Sequence, residues 1–255
     1  MNGADVRQSG VVHATLSRLI DGRLLKLQKM VPKLTLVIYA RVHERFVRGR
    51  GRGRRREAVM SLTFRPKLDK IVELLLYLAH KRPGADKYQA VKFFYLADRE
   101  HFRRYGRPIT FENYYALSYG PVASNTLDLL NGASPALLGA SETSLPFKTK
   151  KGMVKAKSGK EAETTFIREP LRAVNLELFS KSDIQVFDEV LAKYGNLSFD
   201  ELYNETHRHF AYLNAWEHRR YGADRAEMFY DEMVDDEARR AELIEDISPI
   251  AAHMK

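Results

Sequence analysis

The sequence contains no cysteine, which excludes a disulfide framework, thiolate metal ligands and a cysteine nucleophile. It also lacks an apolar run long enough for a membrane. The best, residues 31–40, is interrupted by Lys33 and falls far short of the roughly 20 residues a spanning helix needs. That run lies too far from residue 1, with no small-residue cleavage site, to act as a secretory signal. HExxH, GxSxG, a Walker loop and GxGxxG are all missing, so the commonest hydrolytic, phosphate-binding and dinucleotide sites have no signature here.

What is present is enough for a folded core. The chain has 255 residues with 44% hydrophobic content, room for one large domain or two small ones. Its net charge of +9 is unevenly spread. Residues 1–59 hold 14 Lys and Arg against 4 Asp and Glu, whereas residues 60–255 hold 28 against 29. The body is therefore close to neutral and has little general attraction for phosphate. Residues 48–56, RGRGRGRRR, could bind nucleic acid as a basic arm. The alternative is that translation starts at Met60, directly before the first convincing helix, and that 1–59 is a misassigned, unfolded leader. The division expected is a leader at 1–59, a folded domain at 60–222, and an acidic helix and tail at 223–255.

From Pro66 the pattern sharpens. Leu68, Ile71, Val72, Leu75, Leu76 and Ala79 lie on one helical face, and Pro83-Gly84 ends the element. A second helix is expected over 87–105, with Val91, Phe94, Tyr95, Asp98 and Phe102 on one side and Gly106 as its left-handed stop. Residues 107–119 read as extended, and Gly120-Pro121 as a turn whose proline opens a helix to about Leu130. Residues 147–167 read as a lysine-rich hairpin turning near Ser158-Gly159. Ser180 with Asp183, and Ser198 with Glu201, mark two more helix starts. An acidic helix is expected over 223–246, with residues 231–237 as a solvated charge run. The fold class is mainly α (α+β): a helical domain with a small β element or hairpin inserted between its N-terminal and C-terminal helices.

A buried aspartate must be paired or accept backbone N–H bonds, so Asp98 is expected to pin a neighbouring loop. Asp98 and His101 are three apart on a helix and could touch, as a stabilising pair before an acid/base pair. His207 and His209, two apart, make a weak metal site. Two helices, a strand, a helix and a hairpin bearing Lys148, Lys150, Lys151, Lys155, Lys157 and Lys160 vaguely suggest a winged helix. The helix after Pro121 carries no Lys or Arg to read base edges, and exposed strand lysines equally serve to prevent edge pairing. No cofactor or metal is indicated.

The segment KLDKIVELLLYLA followed by KFFYLADREHFRRYGRPITFENYYALSYGPVASNTLD resembles the SocA-like Panacea antitoxin domain. Lys92, Phe94, Ala97, Asp98, Arg103, Gly106, Gly120, Pro121 and Val122 sit where that pattern places them. Residues 179–207 resemble the family's C-terminal segment, so the likeness runs from about 65 to 216. It implies a bacterial, cytoplasmic, non-enzymatic antitoxin that neutralises a toxin encoded beside it by direct protein–protein contact. Some relatives are thought to act as adaptors delivering the toxin to an ATP-dependent protease. A nucleic-acid-binding regulator using the lysine hairpin and basic leader is the alternative. Aromatic and arginine side chains dominate interface hot spots, so Phe102, Arg103, Arg104, Tyr105, Tyr114, Tyr115 and Tyr119 are the candidate contacts. Asp98, Gly106, Gly120 and Pro121 are assigned to holding that surface in shape.

Overall fold

The computed structural model describes residues 40–46, 58–155 and 161–252. Ala40–Phe46 (β1) and Ala58–Phe64 (β2) pair antiparallel, and Leu68–Lys81 (α1) follows. Next come Lys87–Tyr105 (α2), Tyr114–Leu117 (β3), Gly120–Ala123 (β4) and two short helices, Ser124–Leu130 (α3) and Pro135–Leu138 (α4). Phe147–Lys155 (β5) and Glu161–Pro170 (β6) form a hairpin. The chain continues through Lys181–Tyr194 (α5), Phe199–His207 (α6), Phe210–Glu217 (α7), Ala226–Met228 (β7) and Glu237–Ala252 (α8). The fold is mixed α and β and mainly helical, with small antiparallel sheets.

Helix α2 is the organising element, and its ends are chemically fixed. Asp86 accepts from the Gln89 N–H at 2.8 Å while the Gln89 side chain accepts from the Asp86 N–H, a reciprocal cap. At the far end Gly106 takes φ +69° and donates to the Phe102 carbonyl at 2.8 Å. Every residue from Ala90 to Asp98 is buried, so α2 is surrounded on all sides through its middle turns. It packs against α3, α5, α6, β4 and β6. Both serine-led helix starts are present as capping boxes, at Ser180/Asp183 and Ser198/Glu201.

Several expectations are corrected. Gly120-Pro121 does not open a helix: both lie in β4, with Ala116 opposite Pro121, and α3 starts at Ser124. Proline's fixed φ suits an edge strand as well as a helical first turn, and β4 is an edge of the sheet β4–β3–β7. The acidic helix starts at Glu237, not 223. Residues 226–228 instead pair with β3, with Tyr114 opposite Met228. Asp231 and Glu232 are buried, not solvated, because Asp231 accepts the Leu62 N–H at 2.7 Å and Glu232 accepts from Asn214 at 2.7 Å. Of the range assigned to a leader, residues 40–46 and 58–59 belong to β1 and β2. Residues 1–39 and 47–57 lie outside the described residues, as does the expected hairpin turn at Ser158-Gly159.

Candidate protein-binding surface

Three buried charged groups hold residues 107–126 against α2. Asp98, fully buried, accepts from the N–H groups of Ile109 (2.8 Å) and Thr110 (2.9 Å). It also accepts from the hydroxyls of Thr110 (2.5 Å), Tyr114 (2.9 Å) and Tyr230 (3.2 Å). Burial pushes its carboxyl up, against the lowering effect of those donors. Glu112, also buried, accepts from the N–H groups of Asn113 (2.9 Å), Asn125 (3.1 Å) and Thr126 (3.0 Å), from the Thr126 hydroxyl (3.1 Å), and from the Asn125 amide. It thereby ties the segment after α2 to the start of α3. Between these two grips Phe111 adopts φ +60°, a left-handed backbone uncommon for a bulky side chain.

Lys92 works on the hairpin itself. Its buried ammonium donates to the carbonyls of Tyr119 and Pro121, each at 2.7 Å, and burial lowers its pKa well below the ordinary lysine value. Neighbouring carbonyls are engaged as well. Tyr212 donates its hydroxyl to Leu117 O at 3.0 Å, and His207 Nε2 lies 3.4 Å from Ser118 O. Gly120, at φ +95°, passes so close that a Cβ there would fall 2.7 Å from Lys92 Nζ and 2.8 Å from His207 Cε1. The hairpin turn is thus pulled inward by its backbone, and Tyr119 is left 56% exposed.

Beside it runs a row of rings. Tyr88 stacks on Phe199 with centroids 4.3 Å apart, and Tyr119 meets Phe199 edge-on at 6.3 Å. Phe199, Tyr203 and His207 repeat every four residues along one face of α6, with Tyr203 and His207 stacked at 3.5 Å. The row continues through Tyr212 to Trp216, whose ring carries the Arg219 guanidinium 3.9 Å above it. Tyr88, Phe199, Tyr203 and Trp216 are half-buried.

The seven candidate contacts do not form one patch. Phe102 and Tyr114 are 0% and 1% exposed, so they are core residues and present nothing to a partner. Arg103, Arg104 and Tyr105 occupy the C-terminal end of α2. Arg103 pairs with Glu100 at 2.8 Å, and Arg104 bridges Glu100 (2.5 Å) and Glu189 (2.6 Å). Tyr105 is 49% exposed and leans on His101. Tyr115 lies on β3 under the Arg225 guanidinium at 5.0 Å, while Tyr119 belongs to the hairpin turn. Because Lys92 and Arg103 are eleven residues apart on α2, the two patches sit about 16 Å apart along its axis.

Asp98 and His101 do not pair. His101 Nδ1 donates to Arg107 O at 2.7 Å, and its Nε2 lies 3.1 Å from both Ser182 Oγ and Asp183 Oδ1. Serine and aspartate therefore share one ring nitrogen, whereas a serine–histidine–aspartate relay places them on opposite nitrogens. Asp183 also holds Lys70 (2.7 Å) and Arg107 (2.8 Å). Burial alone would push its carboxyl up, but His101, Lys70 and Arg107 together hold it far below the usual carboxylate range. His207 and His209 form no metal cluster, and none exists among the described residues. No helix among the described residues is long and apolar enough to cross a membrane.

Glu112 gives this region a pH dependence. Burial raises its pKa from 4.5 to about 6. Its contribution to stability is therefore full below pH 4.5 and is lost as pH rises through about 6. Buried His209 acts the other way here, because its pKa is lowered from 6.5 to about 3 and it gains stability as pH rises. The Glu112 effect is therefore read as a difference: in denaturant titrations the stability of wild type relative to Glu112→Gln should fall by about 2 kcal/mol from pH 4.5 to 7. A wild-type slope unchanged in Glu112→Gln would remove Glu112 as its origin. The opposing loss from Asp183 begins only below its unfolded value of 3.8, outside this window.

Residues 91–212 match the family described as antitoxin SocA-like, Panacea domain. No curated protein and no solved structure matches the chain.

Proposed function

We propose, on the match of residues 91–212 to the SocA-like Panacea antitoxin family, that this chain neutralises one cognate protein toxin by binding it, without catalysis. The contact surface is the hairpin turn at Tyr119 together with the adjoining aromatic row on α6. The observation that carries this reading is the fixing of the turn by its own carbonyls. Lys92 and Tyr212 hold the backbone from beneath, so Tyr119 is presented with little further ordering to be done on binding. Tyrosine and tryptophan on a rigid support are the side chains that concentrate interface energy.

The test is co-expression of the full chain with the open reading frame beside its gene. Wild type should restore growth. Tyr119→Ala with Tyr203→Ala, checked for fold by circular dichroism, should abolish rescue, because losing two hot spots weakens binding roughly a thousandfold. Arg103→Glu with Arg104→Glu tests the second patch, whose guanidinium groups are already engaged by Glu100 and Glu189. Full rescue by the folded tyrosine double variant would sink the aromatic surface. A harmless neighbour would sink the pairing itself. Toxin abundance separates the two routes: it stays constant under simple sequestration and falls under delivery to an ATP-dependent protease.

A further inference from the structure

The β5–β6 hairpin is unevenly protected. The outer edge of β6 is covered near its base, where Gly84 donates to Ile167 O at 2.7 Å, Ile167 donates to Ala85 O at 2.8 Å, and Asp86 bridges to Phe166. The outer edge of β5 receives no strand among the described residues. That edge is nine residues long, FKTKKGMVK, and contains four lysines and no carboxylate. Lys148, Lys150 and Lys151 are exposed. Among the described residues Lys151 pairs with Glu163 at 3.2 Å, while Lys148 and Lys150 have no ion-pair partner. The opposite strand carries Glu161, Glu163 and Glu169.

We propose that the free edge of β5 docks an extended acidic segment of a partner protein by strand addition. A strand edge exposes an alternating row of N–H and C=O groups that a second extended chain satisfies, and the flanking side chains select which chain. A row of lysines repels a second copy of itself, so β5 against β5 is disfavoured, while carboxylates on an incoming strand meet complementary charge. The alternation of the strand also argues for a peptide over a nucleic acid. Lys150 and Lys151 are adjacent and project to opposite faces of the ribbon. A phosphate backbone lying on one face meets only some of the lysines, whereas an added strand has neighbours on both. This inference uses neither Tyr119 nor α6 and stands independently of the antitoxin reading.

The test uses the full chain and a fluorescent peptide matched to the nine residues of β5, alternating glutamate and valine. Anisotropy should show saturable binding at low salt. Lys148→Glu with Lys150→Glu, both exposed and outside the core, should weaken it about tenfold or more. The same peptide N-methylated at alternate positions keeps its charge but cannot complete the ladder, and it should bind at least about tenfold more weakly. Equal affinity for the methylated peptide would overturn strand addition. Equal affinity of the lysine variant would overturn the assignment to β5. Tighter, lysine-dependent binding of a DNA or RNA oligonucleotide would assign the edge to nucleic acid instead. Self-association in light scattering that disappears in the lysine variant would assign it to a second copy.

Discussion

Asp183→Ala should unfold this protein at markedly lower denaturant, losing about 4 kcal/mol of stability, because it strands buried cations. The Asp183 side chain is inaccessible and faces Lys70, His101 and Arg107, whose side chains are themselves 8%, 0% and 16% exposed. Removing the one carboxylate leaves Lys70 and Arg107 with their desolvation cost, offset only in part by the Phe179 ring over Lys70 and the Ser180 hydroxyl at 2.9 Å from Arg107. It also removes the side chain that accepts the Ser180 N–H at 3.1 Å, so α5 loses half of its reciprocal cap. The pKa shift gives the pH signature. Asp183 is held below its unfolded value of 3.8, so its contribution is present above that pH and is lost as pH falls toward the lowered value. The variant should therefore lose most at neutral pH and converge on wild type in acid. A loss below about 1 kcal/mol at pH 7 would mean that the cations relax to solvent and the cluster is not a stabilising unit.

Asp98→Ala should have a comparable effect for a different reason. Asp98 makes no ion pair among the described residues; its partners are two backbone N–H groups and three hydroxyls. Removing it leaves several buried donors unsatisfied, at about 1–3 kcal/mol each before relaxation. We expect a loss of about 4 kcal/mol or more by urea titration, together with loss of the near-ultraviolet signal of Tyr114 and Tyr230. Asp98→Asn separates the alternatives. Its amide would turn an N–H₂ toward groups that already donate, so it should be nearly as damaging as alanine. If Asp98→Asn were close to wild type, hydrogen-bond polarity would not be what the site requires.

Much of the central helix was legible because its signals are local. The apolar spacing of 87–105, the glycine after Tyr105 and the two serine-led capping boxes lie within a turn of the groups they act on. Errors arose where partners are far apart in sequence. Asp231 and Glu232 read as solvated because nothing near them could reveal Leu62 and Asn214 as their donors. Met228, Phe229, Met233 and Val234 fit a helical face, yet Met228 is buried from a short strand, Met233 from a 3-10 turn, and Phe229 and Val234 from the irregular chain beside them. Phe102 and Tyr114 read as interface candidates in the sequence because an aromatic ring is equally at home in a core and a hot spot. Only burial distinguishes the two. The α6 row has a local signal in the four-residue spacing of Phe199, Tyr203 and His207, whereas its junction with Tyr88 spans more than a hundred residues of chain and has none. Lys92 matched a family pattern, but its hold on two carbonyls needed coordinates to see.

Tyr230 joins two ends of this arrangement, since its hydroxyl reaches both Asp98 and the Glu112 carbonyl, at 3.2 and 2.7 Å. Residues 226–230 emerge from the ribosome long after α2 and the hairpin they complete. During synthesis α2 and the hairpin are therefore made early and finished late. A nascent chain stalled before Tyr230 holds Asp98 one donor short and leaves β3 with an open side where β7 belongs. The last hydrogen bond to Asp98 and the third strand of the sheet thus form only after about a hundred further residues have been made, so α2 and β3 stay incomplete until residues 226–230 arrive.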